Sequence, residues 1–303
     1  MLNNASGATQ AQPSLTQVRV VLSMLPCAFF LYINGAMLLA LLRKPVLLES
    51  SRYVLFGHLL FTDSLQLLSA MQLYILAASR VRLISYGCIL VNILIAYFIV
   101  KLPPLNLAVM SLERYVAICL PLQHAQITTR RRTGLAIAAM WSLASLDSAT
   151  HLFFFIRMES STFTLSNFCT RRAIFRLQAY TTISMVFNFS IFISVSLIII
   201  LTYVAIMSSS ANVRNTRKAR RTVLLHFLQL WMCLTSILFP LMPVDPQWNL
   251  TPITMGLIQY GLFLVLIIFP KCLSPLIYGL RDKAFRQIFK YYFTFGLRGD
   301  TRP

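Results

Sequence analysis

Charge is scarce in this chain: Asp, Glu, Lys and Arg together make up 12% of its 303 residues. A soluble domain of this length carries roughly twice that fraction of charged residues. Hydrophobic residues instead make up 57% of the chain, and its mean hydropathy is +0.71. The composition therefore excludes most soluble folds and predicts an all-α membrane protein, in which one helical bundle forms the only domain.

Acidic residues are the scarcest of the charged ones, with 8 Asp and Glu against 27 Lys and Arg, so the formal net charge is +19. Such an excess can indicate a nucleic-acid-binding protein, whose basic residues cluster on one face. Here they fall between apolar runs, which is typical of the cytoplasmic loops of a membrane protein. We therefore expect membrane lipid, and no nucleic acid, as a partner.

Three further features are absent from the sequence. Residues 1–17 carry no charged side chain, so the basic region of a cleavable signal peptide is missing and we expect the first apolar run to stay as the insertion signal. No internal repeat appears, which argues against a transporter built from inverted halves. His and Cys residues show no metal-ligand spacing, and no arrangement of nucleophile and base is visible. The sequence predicts neither an enzyme nor a cofactor or metal centre.

Seven apolar runs are each near the ~20 residues that a helix needs to cross ~30 Å of hydrocarbon. They predict a seven-transmembrane helix bundle, residues 20–280, preceded by the segment 1–19 and followed by the tail 281–303. Spans one to seven are placed at about Val20–Leu42, Tyr53–Ala78, Cys88–Cys119, Gly134–Ile156, Leu177–Met207, Thr222–Met242 and Thr251–Tyr278.

The connections between the spans differ in their basic residues. With the first, third and fifth connections and the tail on one side, that side holds 18 Lys and Arg against 7 on the other. Because cytoplasmic loops are the more basic, we expect an extracellular amino terminus, with Asn4 in a glycosylation sequon, and a cytoplasmic carboxyl terminus. The tail is predicted to form a short amphipathic helix on the inner leaflet, whose apolar residues are Phe285, Ile288, Phe289 and Tyr292.

The end of span three is the most informative stretch. It reads Met110-Ser111-Leu112-Glu113-Arg114-Tyr115-Val116-Ala117-Ile118-Cys119-Leu120-Pro121-Leu122, followed by His124 and Thr128-Thr129. By charge alone, Glu113 and Arg114 are equally well explained as an anchor at the membrane–water boundary. The whole string resembles the third-helix signature of odorant receptors in the rhodopsin-like G-protein-coupled class, nearest to the fish-type branch. That family usually has Asp in place of Glu113, which keeps the charge.

Other spans carry further parts of the resemblance. Asn34 and Asp63 are similar to a helix-one asparagine and a helix-two aspartate, and the family's aspartate joins an activation network that often holds sodium. An interhelical hydrogen bond is the alternative for Asn34. Residues 218–226 resemble the family's entry to helix six. The network is completed by three residues of span seven, with serine where the family has asparagine: Ser274, Pro275 and Tyr278.

Cysteines do not form a disulfide framework by count, because four of the six lie in or at the ends of apolar runs. Only Cys88 and Cys169 fall where an oxidising exterior could pair them. The resemblance implies that they are bonded, which would hold the long connection after span four against the start of span three.

Charged side chains at membrane depth are costly and face the bundle interior. Lys101 either contacts the ligand or pairs with a carboxylate such as Asp63, or with carbonyls freed by the proline pair 103–104; we favour the structural role. Asp147 and His151 lie four residues apart on one helix face, which favours a local polar contact between them.

The resemblance implies an odorant receptor of the plasma membrane that activates a stimulatory G protein. Glu113, Arg114 and Tyr115 would form the switch, with Arg114 paired to Glu113 at rest and released when span six swings outward. Alternatives are a rhodopsin-like receptor for a non-odorant ligand and a transporter. A small odorant would bind between the outer halves of spans three, five, six and seven, among Ala96, Tyr97, Val100, Lys101, Ser184, Asn188, Ile237, Leu238, Leu241, Tyr260 and Leu264.

Overall fold

The structure is a computed structural model that describes residues 6–78, 95–96, 98–158, 178–208 and 261–269, together with positions 224, 227–228, 231–232, 254, 258, 271 and 286. This part of the chain is helical apart from short turns and contains no strand. Five long helices are seen: α1 Ser6–Arg43, α2 Ser51–Ala78, α3 Phe98–Cys119, α4 Arg130–Met158 and α5 Gln178–Ser208. Shorter elements are the 3-10 turn Pro45–Glu49, the helical turn His124–Ile127 and the π-helical stretch Phe263–Ile268.

The five long helices correspond to the first five predicted spans. Predicted ends agree best at the carboxyl termini, where α2 and α3 end at Ala78 and Cys119 as expected. The largest difference is at α1, which begins at Ser6 and not near Val20. A hydropathy pattern indicates which residues lie in the hydrocarbon core of the membrane. The helix itself can begin before the membrane, with polar residues such as those of α1 before Val20.

Three described helices contain a stretch long and apolar enough to cross a membrane, namely Met24–Arg43, Ser51–Gln72 and Met185–Ser208. Helix α5 also presents large apolar side chains on its outer surface, and these would be costly in water. In a bilayer the hydrocarbon covers them. The most exposed are Val186, Ile193, Leu197, Leu201 and Val204.

Helix α3 lies at the centre of the described bundle, where it contacts α2, α4 and α5, while α1 packs along α2. The core between them is apolar and includes Met37, Phe56, Leu60, Leu102, Met140 and Ile199. Gly57 lets α1 and α2 approach closely, because a Cβ atom there would lie 2.7 Å from Leu41 Cδ2. Small residues at such contacts are a usual device of membrane bundles, where close packing holds helices together.

Candidate functional site

Glu113, near the carboxyl end of α3, is buried and is flanked by two basic side chains. Arg114 Nε lies 3.4 Å from Glu113 Oε2, and His124 Nε2 lies 3.7 Å from Glu113 Oε1. The first contact is the pairing that the resemblance implies for the resting state. The second brings in the helical turn that follows α3, and His124 was expected only as part of the motif.

Hydrogen bonds fix this turn to the start of α2. Ser51 Oγ donates to the carbonyl oxygen of Thr128 at 2.7 Å, and Thr133 Oγ1 donates to Ser51 Oγ at 2.7 Å. Thr128 Oγ1 in turn donates to the carbonyl oxygen of His124 at 2.6 Å. Sequence reasoning missed Ser51 and Thr133, because isolated hydroxyl residues at helix ends carry no signal of their distant partners.

Asp63 of α2 is fully buried and accepts a hydrogen bond from Lys271 of the seventh span, with 2.8 Å between Nζ and Oδ1. Asn34, the other predicted network residue on a described helix, is also fully buried. Its amide makes no hydrogen bond within the part of the chain that the structure describes. The other predicted network residues lie outside the described residues: Ser274, Pro275 and Tyr278.

Lys101 of α3 forms a hydrogen-bonded ion pair with Asp147 of α4, and the two side chains are 2% and 1% exposed. Lys101 Nζ also lies 5.5 Å from the centre of the Phe187 ring on α5. The sequence analysis named Asp63 as an example of a carboxylate that could pair with Lys101. This prediction was wrong, because Lys101 pairs with Asp147 across the α3–α4 contact and Asp63 pairs with Lys271. One Asp147 oxygen accepts a hydrogen bond from the Lys101 ammonium. The local contact between Asp147 and His151 stays a prediction, because the His151 side chain lies outside the described residues.

The predicted ligand pocket is described only in part. Ala96 and Val100 are half-buried before and within α3, and Asn188 is buried on α5. Leu264 packs against a cluster of Cys27, Leu67 and Ile268, on the α1 and α2 side of the seventh span. The side chains of the remaining pocket residues lie outside the described part: Tyr97, Ser184, Ile237, Leu238, Leu241 and Tyr260. The pocket therefore stays a prediction.

Other predicted features also fall outside the described residues. These are the sequon at Asn4, the cysteines Cys88 and Cys169, and the tail helix apart from Arg286, which is helical. They too stay predictions.

Residues 33–278 match the family model described as 7 transmembrane receptor (rhodopsin family). The chain belongs to this family. Proteins of this family form a bundle of seven membrane-spanning helices, so the seven-span part of the predicted fold class is confirmed. The protein is a multi-pass membrane receptor and not an enzyme. It also argues against the transporter alternative.

Individual relatives narrow the family further. The receptor is similar to Odorant receptor 131-2 of Danio rerio, with 31% identity over 302 residues that cover 96% of this chain and 90% of the relative. It is 27% identical to Olfactory receptor-like protein COR2 of Gallus gallus, covering 82% of each chain. It is 29% identical to Olfactory receptor 11H4 of Homo sapiens, covering 88% of this chain and 83% of the relative. The predicted membership of the odorant receptors is confirmed.

Proposed function

We propose that this receptor binds a small odorant and activates a stimulatory G protein from the plasma membrane, with its amino terminus outside the cell. The observation that carries the proposal is the contact of Arg114 with the buried Glu113 at the end of α3. A buried carboxylate holds an arginine in place only while the surrounding helices keep it buried. Movement of a neighbouring helix would therefore release the guanidinium toward a partner protein.

The odorant would act by binding the active conformer more tightly than the resting one. Equal affinity for both conformers would shift nothing, whatever its strength. We place the ligand between the outer halves of spans three, five, six and seven, near Val100 and Asn188. The Lys101–Asp147 pair would then form a wall of this cavity and not a contact for the ligand, because both charges are already satisfied by each other.

Two features outside the bundle complete the proposal. The tail would lie on the inner leaflet as an amphipathic helix, with its apolar residues in lipid and its basic residues toward anionic headgroups. A disulfide between Cys88 and Cys169 would hold the outer connection over the bundle.

The test is a ligand screen on cells that express the receptor with a cyclic AMP reporter. Arg114→Ala should abolish the ligand response at matched surface levels, while Arg132→Ala, which removes an exposed arginine at the start of α4, should largely keep it. A full response from Arg114→Ala would refute the switch. A response seen only with reporters for other G-protein classes would refute stimulatory coupling, and ligand-independent uptake of labelled solutes would refute the receptor function as a whole.

A further inference from the structure

Lys271 and Asp63 join the seventh span to α2 inside the bundle. The two atoms Lys271 Nζ and Asp63 Oδ1 lie 2.8 Å apart, and the side chains are 4% and 0% exposed. A carboxylate at this depth must be neutralised by a proton or a positive partner, because an isolated charge in a low-dielectric interior is very costly. The chain provides that partner as a covalently attached ammonium group.

The same carboxylate has the chemistry of a cation site. Carboxylate oxygens are the ligands that small hard cations prefer, and a fully buried carboxylate would attract sodium strongly if nothing else neutralised it. The Lys271 ammonium, hydrogen-bonded to Oδ1, stands where such a cation would coordinate. Ammonium and sodium would therefore compete for one position.

We propose that Asp63 is a monovalent-cation site that the receptor fills with its own Lys271. The sodium ion that the family resemblance suggested at Asp63 is then replaced by a side chain. A free ion occupies a site according to its concentration, but an attached group occupies it independently of the solution. The link between α2 and the seventh span thus persists whatever the sodium concentration, and this inference does not depend on which ligand or G protein the receptor uses.

The experiment compares thermal unfolding of the purified full-length receptor in sodium chloride and in choline chloride at equal ionic strength, so that general screening is matched. The wild type should unfold at the same temperature in both salts. Lys271→Met keeps the apolar stem but opens the site, so its midpoint should rise by about 3 °C or more in sodium. In the double variant Asp63→Asn/Lys271→Met this difference should disappear. Lys44→Met removes an exposed lysine and should behave as the wild type.

Two results would overturn the inference directly. One is a wild-type receptor that is more stable in sodium than in choline; the other is a folded Lys271→Met variant that is indifferent to sodium. If Lys271→Met does not accumulate, the yield of folded receptor becomes the readout. Asp63→Asn should then restore the yield of Lys271→Met several-fold while Asp147→Asn should not, and a failure of this selective rescue would equally overturn the assignment.

Discussion

Replacing Lys101 by Met tests whether the pair with Asp147 holds α3 to α4. The substitution keeps the length and the apolar stem of the side chain and deletes the ammonium group. Because both partners are almost completely buried, the Asp147 carboxylate would lose its counter-charge without gaining water. Breaking a buried pair in this way costs about 3–5 kcal/mol. That corresponds to a decrease of about a hundredfold to several thousandfold in the ratio of folded to unfolded receptor.

The two halves of the pair should not be equivalent. Asp147→Asn leaves the ammonium, which still lies over the Phe187 ring at 5.5 Å, and a cation–π contact of this kind contributes about 0.5–2 kcal/mol. We therefore expect Asp147→Asn to be milder than Lys101→Met by about 1 kcal/mol. The double variant Lys101→Met/Asp147→Asn should return close to wild type, since removing both charges also removes the cost of burying them.

The assay is the thermal stability of detergent-extracted receptor, with surface expression measured in parallel. Lys44→Met serves as the control for loss of one positive charge, because Lys44 is exposed. Asp63→Asn serves as the control for specificity and should not rescue Lys101→Met. The reasoning fails if the effects of Lys101→Met and Asp147→Asn simply add in the double variant, or if Asp63→Asn rescues as well as Asp147→Asn. Normal stability of Lys101→Met with a changed ligand ranking would instead place Lys101 in the ligand pocket.

Three other features give further predictions. Peptide mapping without reduction should recover Cys88 and Cys169 linked to each other, and finding both as free thiols in surface receptor would exclude the bridge. Ser51→Ala should lower the free energy of unfolding by about 1–3 kcal/mol, because it leaves buried groups at the start of α2 without their hydroxyl partner. Ser51→Thr keeps a hydroxyl and should lower it less. Equal losses in the two variants would exclude a role for the hydroxyl. Gly57→Ala should lower the free energy of unfolding by less than about 1 kcal/mol, since the tip of the Leu41 side chain can move aside. Gly57→Leu should lower it more, because the larger side chain overpacks the α1–α2 contact. Equal unfolding midpoints for the two variants would refute this.

The sequence predicted features that depend on local pattern. Hydropathy located α1 to α5, and the string around Glu113 and Arg114 was sufficient to identify the family, because each signal lies within one stretch of chain. Sequence reasoning also recognised that Lys101 and Asp63 are costly at membrane depth. These predictions needed no knowledge of how the helices pack.

The pairing of the buried charges could not be predicted in the same way. Lys101 and Asp147 are 46 residues apart, and Lys271 and Asp63 are 208 residues apart. Which lysine meets which aspartate depends on the rotation of each helix and on which helices are neighbours, and hydropathy carries neither. The predicted spans contain two Lys and two Asp, and these equal numbers indicate that the charges pair. They do not tell which lysine pairs with which aspartate.

The Lys101–Asp147 pair also bears on how the chain enters the membrane during synthesis. A Lys or Asp near the middle of a span raises the free energy of insertion by about 2.5–3.5 kcal/mol. The counter-charge for Lys101 arrives only when α4 has been made. We therefore expect spans three and four to leave the insertion machinery for lipid together, as an already paired hairpin. A nascent chain ending before span four should insert span three less efficiently, and Lys101→Met should restore that insertion.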